Sequence, residues 1–288
     1  MSANTTFPLR APQGEAAAVL LESGGLLRWS APAFPLLPAE QALISTRRIG
    51  GRGGKNISFD AKTGLRHAEG MPEDLALLQS LLQRFGAFCQ AALATLLPEY
   101  LPGAVRMRAS FRPAEIEGRC YGWRSNDRLR HVDAFPSQPT GGNRILRMFC
   151  NADTTRPRVW RTGPDFESYI EALLPHAPIR RVPGLAAFNA LTGITKTRRT
   201  LYDAQMLALH DAAKRDSQWQ ETAPVEEIIF HPGDFWMVFT DLVPHAVLSG
   251  RNALEQTFII GHECLLLPER SPLAILNRRR NRDLRKPA

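Results

Sequence analysis

Apolar positions fall at helical spacing in one long stretch and at strand spacing in many short ones. Between residues 72 and 97, Leu75, Leu78, Leu82, Phe85 and Cys89 recur three or four apart, which on a helix places them along one face. Pro72 suits a first helical turn, Glu73 and Asp74 favour its positive end, and Pro98 cannot continue it. The pattern predicts a helix over 72–97 whose stripe faces a core. From Val105 onward the texture changes to short runs punctuated by turns. Residues 144–151 and 158–161, joined by the polar turn 152–157, read as a hairpin. A helical insert at about 164–216 follows, with helices over 166–174, 185–191 and 200–215. Strands then return at 225–230, 235–240, 245–248 and 256–261, with the tight turn His231-Pro-Gly-Asp234 between the first two. Strands on both sides of a helical insert predict an α+β chain with a mainly β core. The fold expected is a double-stranded β-helix, a jelly-roll or cupin-like barrel flanked by helices. Residues 1–40, rich in Ala, Pro and Leu, read as an irregular extension. A single domain is expected over 41–270, followed by a basic tail over 271–288.

Composition sharpens this picture in two places. The 288 residues, 44% hydrophobic and 22% charged, are those of an ordinary globular chain with one full-sized core. No window approaches the ~18 apolar residues of a membrane span, and the apolar stretch 16–21 is too short for a signal-peptide core, so a cytoplasmic protein is expected. Cys89, Cys120, Cys150 and Cys264 lie far apart without a CxxC pair. That argues against a zinc knuckle and for reduced, mostly buried thiols. The net charge of +8 is gathered into clusters: Arg47, Arg48, Arg52 and Lys55; Arg180 and Arg181; Lys196, Arg198 and Arg199; and Arg278, Arg279, Arg280, Arg282, Arg285 and Lys286. Such runs favour anionic partners, whether a phosphorylated substrate, an anionic membrane surface or nucleic acid. The glycine-rich loop 48–56 lacks the GxxxxGK[ST] spacing of a phosphate loop.

His131-Val-Asp133 carries the chemistry. Residues i and i+2 of an extended segment point to the same side, so the imidazole and the carboxylate can reach one metal ion. With seven His and twelve Asp, such a tripeptide arises by chance in roughly one chain in three of this composition, so the context has to decide. A third ligand, His245, follows Pro244 at the start of a short strand beyond the insert and the Pro-Gly-Asp turn. Two imidazoles and a carboxylate on one face of iron leave open positions for co-substrate and oxygen. The order of these elements resembles that of double-stranded β-helix iron oxygenases. His67, His176, His210 and His231 read as structural or solvated, and His262 is the fallback ligand. A 2-oxoglutarate co-substrate needs a cation for its far carboxylate. The window Glu255–Thr257, some ten residues past the distal His, holds none, and Arg251 falls in a turn. Arg158 is the preferred candidate, with Arg147 and Arg161 as alternatives and Asn151 as an added hydrogen-bond donor.

Residues 130–161, 200–216 and 230–258 together resemble the Kdo 3-hydroxylase family (Kdo is 3-deoxy-D-manno-oct-2-ulosonic acid). The resemblance runs from about Lys55-Asn56 to Leu267, and its motifs are far longer than HxD alone. It implies an Fe(II)- and 2-oxoglutarate-dependent dioxygenase that hydroxylates carbon 3 of Kdo in the lipopolysaccharide inner core, releasing succinate and CO2. His131, Asp133 and His245 are the implied iron ligands. The basic clusters suit Kdo-lipid A as substrate and peripheral contact with the anionic inner face of the cytoplasmic membrane; nucleic acid is not expected. Arg124, Arg144, Arg47 and Lys55 are candidate sugar-carboxylate or phosphate contacts, and Trp123, Phe135, Trp160 and Trp236 candidate walls. The competing readings are a 2-oxoglutarate oxygenase acting on nucleic acid or protein, and a non-catalytic glycolipid-binding protein on the same barrel.

Overall fold

From residue 144 onward the strands alternate between two antiparallel sheets. In a computed structural model, which describes residues 12–30, 32–46, 49–51, 56–118, 122–179, 188 and 190–286, the elements run in this order: α1 (Glu15–Glu22), β1 (Leu27–Trp29), α2 (Pro38–Thr46), β2 (Gly50–Gly51), β3 (Ile57–Asp60), β4 (Gly64–Arg66), β5 (Ala68–Glu69), α3 (Pro72–Leu96), β6 (Ala104–Arg112), β7 (Arg144–Asn151), β8 (Arg158–Thr162), α4 (Phe166–Leu173), α5 (Leu201–Arg215), α6 (Ser217–Thr222), β9 (Glu226–Phe230), β10 (Phe235–Phe239), β11 (His245–Ser249), β12 (Ala253–Ile260) and α7 (Pro272–Arg280). The large sheet has the order β1-β10-β7-β12-β6-β3-β4 and the small one β11-β8-β9, while β2 and β5 form a separate ribbon. The chain therefore passes from large to small sheet at β7–β8, back at β9–β10, and across again at β10–β11 and β11–β12. That is the double-stranded β-helix expected from the sequence.

Two turns thereby acquire a different meaning. The stretch 144–161 is not a hairpin: β7 pairs with β10 and β12, whereas β8 pairs with β9 and β11. Asp153 Oδ1 accepts from the Thr155 and Arg156 amides, turning the chain out of one sheet and into the other. The Pro-Gly-Asp turn likewise bridges sheets, and the two crossovers are tied together. The Asn151 amide N–H donates to the Asp234 carbonyl (2.9 Å) and that of Gly233 to the Asn151 carbonyl (2.8 Å).

Strand alternation sorts the β7 side chains into two cores. Leu146, Met148 and Cys150 join the helix-side core with Leu78, Leu82, Phe85, Cys89 and Leu93 of α3. Phe149 faces the small sheet, where it packs with Trp160, Phe230, Trp236, Val238, Val243 and Val247. The helix predicted over 72–97 is α3, one residue shorter. Of the insert helices, 166–174 and 200–215 correspond to α4 and α5, and Thr200 closes a capping box with Asp203. Residues 185–191 lie mostly outside the described residues, and the insert extends past 216 through α6. Among the described residues no helix is long and apolar enough to cross a membrane. Cys89 and Cys150 are buried free thiols and Cys264 is half-buried and free; Cys120 lies outside the described residues.

The two ends of the chain depart from expectation. The described residues 12–30 and 32–40 do not form an irregular extension: β1 pairs with β10 at the edge of the large sheet, and Ala17, Ala18 and Leu21 of α1 are fully buried. Buried Glu22 accepts from the Tyr100 hydroxyl (2.7 Å) and from the Leu266 and Leu267 amides, fastening α1 to the far end of the chain. The basic tail is also docked. Ser271 caps α7, Leu273, Ile275, Leu276 and Leu284 are buried, and the Leu201 and Tyr202 amides donate to the carbonyls of Lys286 and Leu284. The arginines hide this anchoring in the sequence, because they outnumber the apolar positions that hold the segment down.

Arg144, expected as a substrate contact, instead belongs to this framework. It is fully buried, its Nε donates to Asp241 Oδ2 at 2.8 Å, and its guanidinium lies 4.1 Å from the centre of the Phe239 ring. Arg144→Ala would strand the buried Asp241 carboxylate and is expected to cost about 3–5 kcal/mol. Urea denaturation followed by circular dichroism measures this; a loss below about 1 kcal/mol would mean the pair is dispensable.

Candidate metal centre

His131 and His245 meet as backbone before they meet as side chains. The His131 N–H donates to the His245 carbonyl (3.1 Å) and the His245 N–H returns the bond (2.9 Å), adding the HxD segment to the free edge of β11. The Asp133 N–H donates to the Thr240 carbonyl at 2.8 Å, which fixes the segment two residues on. Behind it, Arg130 donates to the carbonyls of Trp219, Gln220, Ala223 and Pro224 at the end of α6, so the insert braces the approach to the motif. One ligand atom from each of His131, Asp133 and His245 lies within 4.8 Å of the other two, and all three residues are buried or nearly so.

The imidazoles are set up as ligands. Nδ1 of His131 lies 2.8 Å from the Leu129 carbonyl and Nδ1 of His245 lies 2.9 Å from the Val243 carbonyl. A carbonyl only accepts, so Nδ1 carries the proton in each ring and Nε2 keeps its lone pair. Burial lowers the pKa of both rings, and for His131 the neighbouring His245 adds to the effect, which keeps them neutral. Burial would raise the Asp133 carboxyl, but the Arg147 guanidinium beside it is the largest of the opposing influences, which together hold it well below the ordinary carboxylate range. Two neutral imidazoles and one carboxylate make a donor set that fits a divalent first-row metal with open positions.

A cavity of about 160 Å³ opens on the three ligands, lined also by Asn56, Arg112, Asp127, Arg147, Phe149, Arg158, Trp160 and Val247. Its cations differ in what they have left to offer. Arg147 lies 2.9 Å from Asp133 and 2.8 Å from Glu255. Arg112 pairs with Glu255 and lies 3.7 Å from Asp127. Arg158 is buried, and its one hydrogen bond among the described residues runs from Nη1 to the Gly250 carbonyl at 3.1 Å. Its Nε has no partner. Burial and the nearby Arg112 push its pKa down to about 10, so it stays charged at neutral pH. Gly250 makes the approach possible: its φ is +108°, and a Cβ there would lie 2.8 Å from Arg158 Cα.

The other expected site residues are elsewhere. Arg161 is one residue out of phase with Arg158, so strand alternation points it away from the cavity, toward Glu227 at 3.6 Å. The Asn151 amide is already used: Nδ2 donates to the Arg156 and Phe230 carbonyls and Oδ1 accepts from the Asp153 amide. Arg124 pairs with Asp211 at 2.9 Å beside a different cavity. Lys55 and Arg47 lie outside the described residues. His262 bonds to Ser271 and is not among the clustered ligands, and Arg251 pairs with Asp153. Trp160 is a wall of the cavity and stacks on His245, with ring centres 5.1 Å apart. Trp236 is core, Trp123 lies beneath Arg124 and Arg215, and Phe135 lies beneath Arg147. Sequence reasoning missed Arg112, Asp127 and Glu255. Glu255 stood in the window searched only for a cation, and His210, read as structural or solvated, meets the His131 ring edge-on at 5.0 Å.

The family model described as 3-deoxy-D-manno-oct-2-ulosonic acid (Kdo) hydroxylase matches residues 8–283. The chain belongs to the Kdo hydroxylase family. The apo structure of the Kdo hydroxylase KdoO, a non-haem Fe(II) α-ketoglutarate-dependent dioxygenase, is 43% identical, covering 93% of this chain and 90% of that one with a TM-score of 0.85. The same identity and coverage hold for KdoO in complex with α-ketoglutarate and Fe(III), at a TM-score of 0.85, and with cobalt(II), at 0.86. No match was found among curated proteins. In this Kdo hydroxylase family member, His131→Ala, Asp133→Ala and His245→Ala are each expected to abolish stoichiometric cobalt(II) binding in titration calorimetry without changing the far-ultraviolet dichroism. Retained one-to-one binding in all three variants would place the metal elsewhere.

Proposed function

We propose that this chain hydroxylates carbon 3 of a Kdo unit in Kdo-lipid A, consuming oxygen and 2-oxoglutarate and releasing succinate and CO2. The observation that carries the reading is a buried His-Asp-His set beside a buried arginine with unused donors, in a chain 43% identical to KdoO. Iron(II), held by these residues, would supply the chemistry by which oxygen oxidises both the keto acid and the C–H bond. The residues around it supply position. The Nδ1 bonds to Leu129 and Val243 leave both Nε2 lone pairs for the metal that these residues would hold, and Arg147 keeps Asp133 ionised. Arg158 is the partner assigned to the far carboxylate of 2-oxoglutarate, since Arg112 and Arg147 are already neutralised by carboxylates. Trp160, Phe149 and Val247 keep that end of the cavity apolar and dry. The substrate's phosphates and sugar acids suit the chain's clustered cations. Contact is peripheral, at the anionic inner face of the cytoplasmic membrane.

Loss of a charge-assisted hydrogen bond typically costs about 1.5–3 kcal/mol, roughly 10- to 150-fold. Arg158→Ala is expected to raise the 2-oxoglutarate KM by that factor, while Arg161→Ala leaves it within about two-fold of the parent. Equal effects of the two variants would remove Arg158 from its role. Purified protein with iron(II) and 2-oxoglutarate is expected to add one oxygen atom to Kdo-lipid A, read by mass spectrometry. Free Kdo should turn over poorly, because remote binding energy helps to orient the reacting carbon. Turnover on a peptide or nucleic acid, with none on Kdo-lipid A, would reject the sugar assignment.

A further inference from the structure

Three of the most exposed large apolar side chains among the described residues stand within seven positions of one another. Phe188 is 57% exposed, Leu191 86% and Ile194 58%. Phe188 and Leu191 are one helical turn apart and share a face. The Thr192 amide and hydroxyl both donate to the Phe188 carbonyl, and Gly193, at φ +74°, ends the turn. Immediately beyond lie Lys196, Arg198 and Arg199, none with a carboxylate in ion-pair reach among the described residues. Buried Thr195 sits between the apolar and the basic groups. This segment is anchored to the loop that leaves the metal ligands. The Lys196 N–H donates to the Ser137 carbonyl (3.0 Å), its Nζ to Gln138 Oε1 (3.0 Å), and Arg199 Nη2 to the Pro136 carbonyl (2.7 Å). Pro136 is three residues past Asp133. On its other side Arg199 borders a cavity of about 610 Å³ that is also lined by Arg124 and Arg215.

We infer that Phe188, Leu191 and Ile194 insert into an anionic lipid bilayer while Lys196, Arg198 and Arg199 meet its headgroup phosphates, docking the enzyme with the metal-site loop against the membrane. The inference rests on the proposed lipid-linked substrate and names the element that reaches it. Exposed apolar side chains next to unpaired cations match the two layers such a surface offers, acyl chains below and phosphates above. A second copy of this chain fits less well, because a two-fold interface would bring the three cations near their own counterparts.

The test is co-sedimentation with two-to-one phosphatidylethanolamine–phosphatidylglycerol vesicles, against phosphatidylcholine vesicles. The intact chain is expected to bind the anionic vesicles and to be released as salt rises. Each of Phe188→Ser and Leu191→Ser should lower the partition coefficient about ten-fold, and the pair about 100-fold. Arg198→Gln, which removes no hydrogen bond or ion pair made among the described residues, should lower it about five-fold. Thermal melting of all three should be unchanged, and so should turnover of a deacylated Kdo oligosaccharide. Anionic-vesicle binding by the double variant equal to that of the parent would overturn the inference. So would equal binding to phosphatidylcholine, or a dimer in sedimentation velocity that the double variant dissolves while vesicles go unbound. Docking through these residues by a protein that adds no oxygen to Kdo would uphold the surface and reject the activity, so the two failures are told apart.

Discussion

Placing a carboxylate at a buried metal site demands counter-charge, and the barrel answers with a ladder. Asp133, Arg147, Glu255, Arg112 and Asp127 alternate in sign in a chain of ion pairs beside the cavity. Burial without a partner raises the pKa of a carboxyl group and lowers that of a guanidinium; here each charge but the last has opposite neighbours on both sides, counting for Asp133 the metal it would hold. Burial would raise Glu255, yet Arg112 and Arg147 hold it below its ordinary range. The ladder exists because β12 lies between β6 and β7. Glu255 on the middle strand can then reach Arg112 on one side and Arg147 on the other. A one-residue slip of β12 would turn Glu255 toward α3 and leave two arginines without their carboxylate.

The small sheet makes the complementary half. Its edge strand β11 carries His245, and the HxD segment is held to that edge by a reciprocal pair of backbone bonds. The same sheet supplies Arg158 and Trp160 from β8, alternate residues that both face inward. Electrostatics thus divides the cavity between its two walls. Cations from the large sheet are spent on carboxylates, whereas the cation from the small sheet retains donors for a ligand. Such a fixed, water-excluding arrangement needs little reorganisation when charge is bound or redistributed.

The insert and both chain ends are supports for this centre. Arg130 ties the residue before His131 to the carbonyls that end α6, and Lys214 of α5 donates to the Arg124 carbonyl. His210, also on α5, packs its ring against His131. The N-terminal α1 and the C-terminal segment are joined through Glu22, so residues 244 and 245 positions apart in sequence share one buried carboxylate.

The sequence by itself determined the parts whose signals are local. The periods of α3, β7, β8 and the later strands, the start of α3 at Pro72 and its stop before Pro98, and the extended i, i+2 pair His131 and Asp133 follow from residue spacing and turn chemistry. The candidate set His131, Asp133 and His245 could be singled out from HxD, its context and a later histidine, and the fold brings the three together. Tertiary structure decided what depends on which strands become neighbours. It turned the expected hairpin at 144–161 into a crossing between sheets and removed Arg161 from the cavity by strand phase. It also consumed the Asn151 amide and the Arg144 charge in internal bonds, and brought Glu255 between two arginines. An arginine's sequence neighbours report only that it carries a charge. Whether that charge is already paired depends on carboxylates about 100 residues away, because Arg147 meets Glu255 only after β12 has been laid against β7.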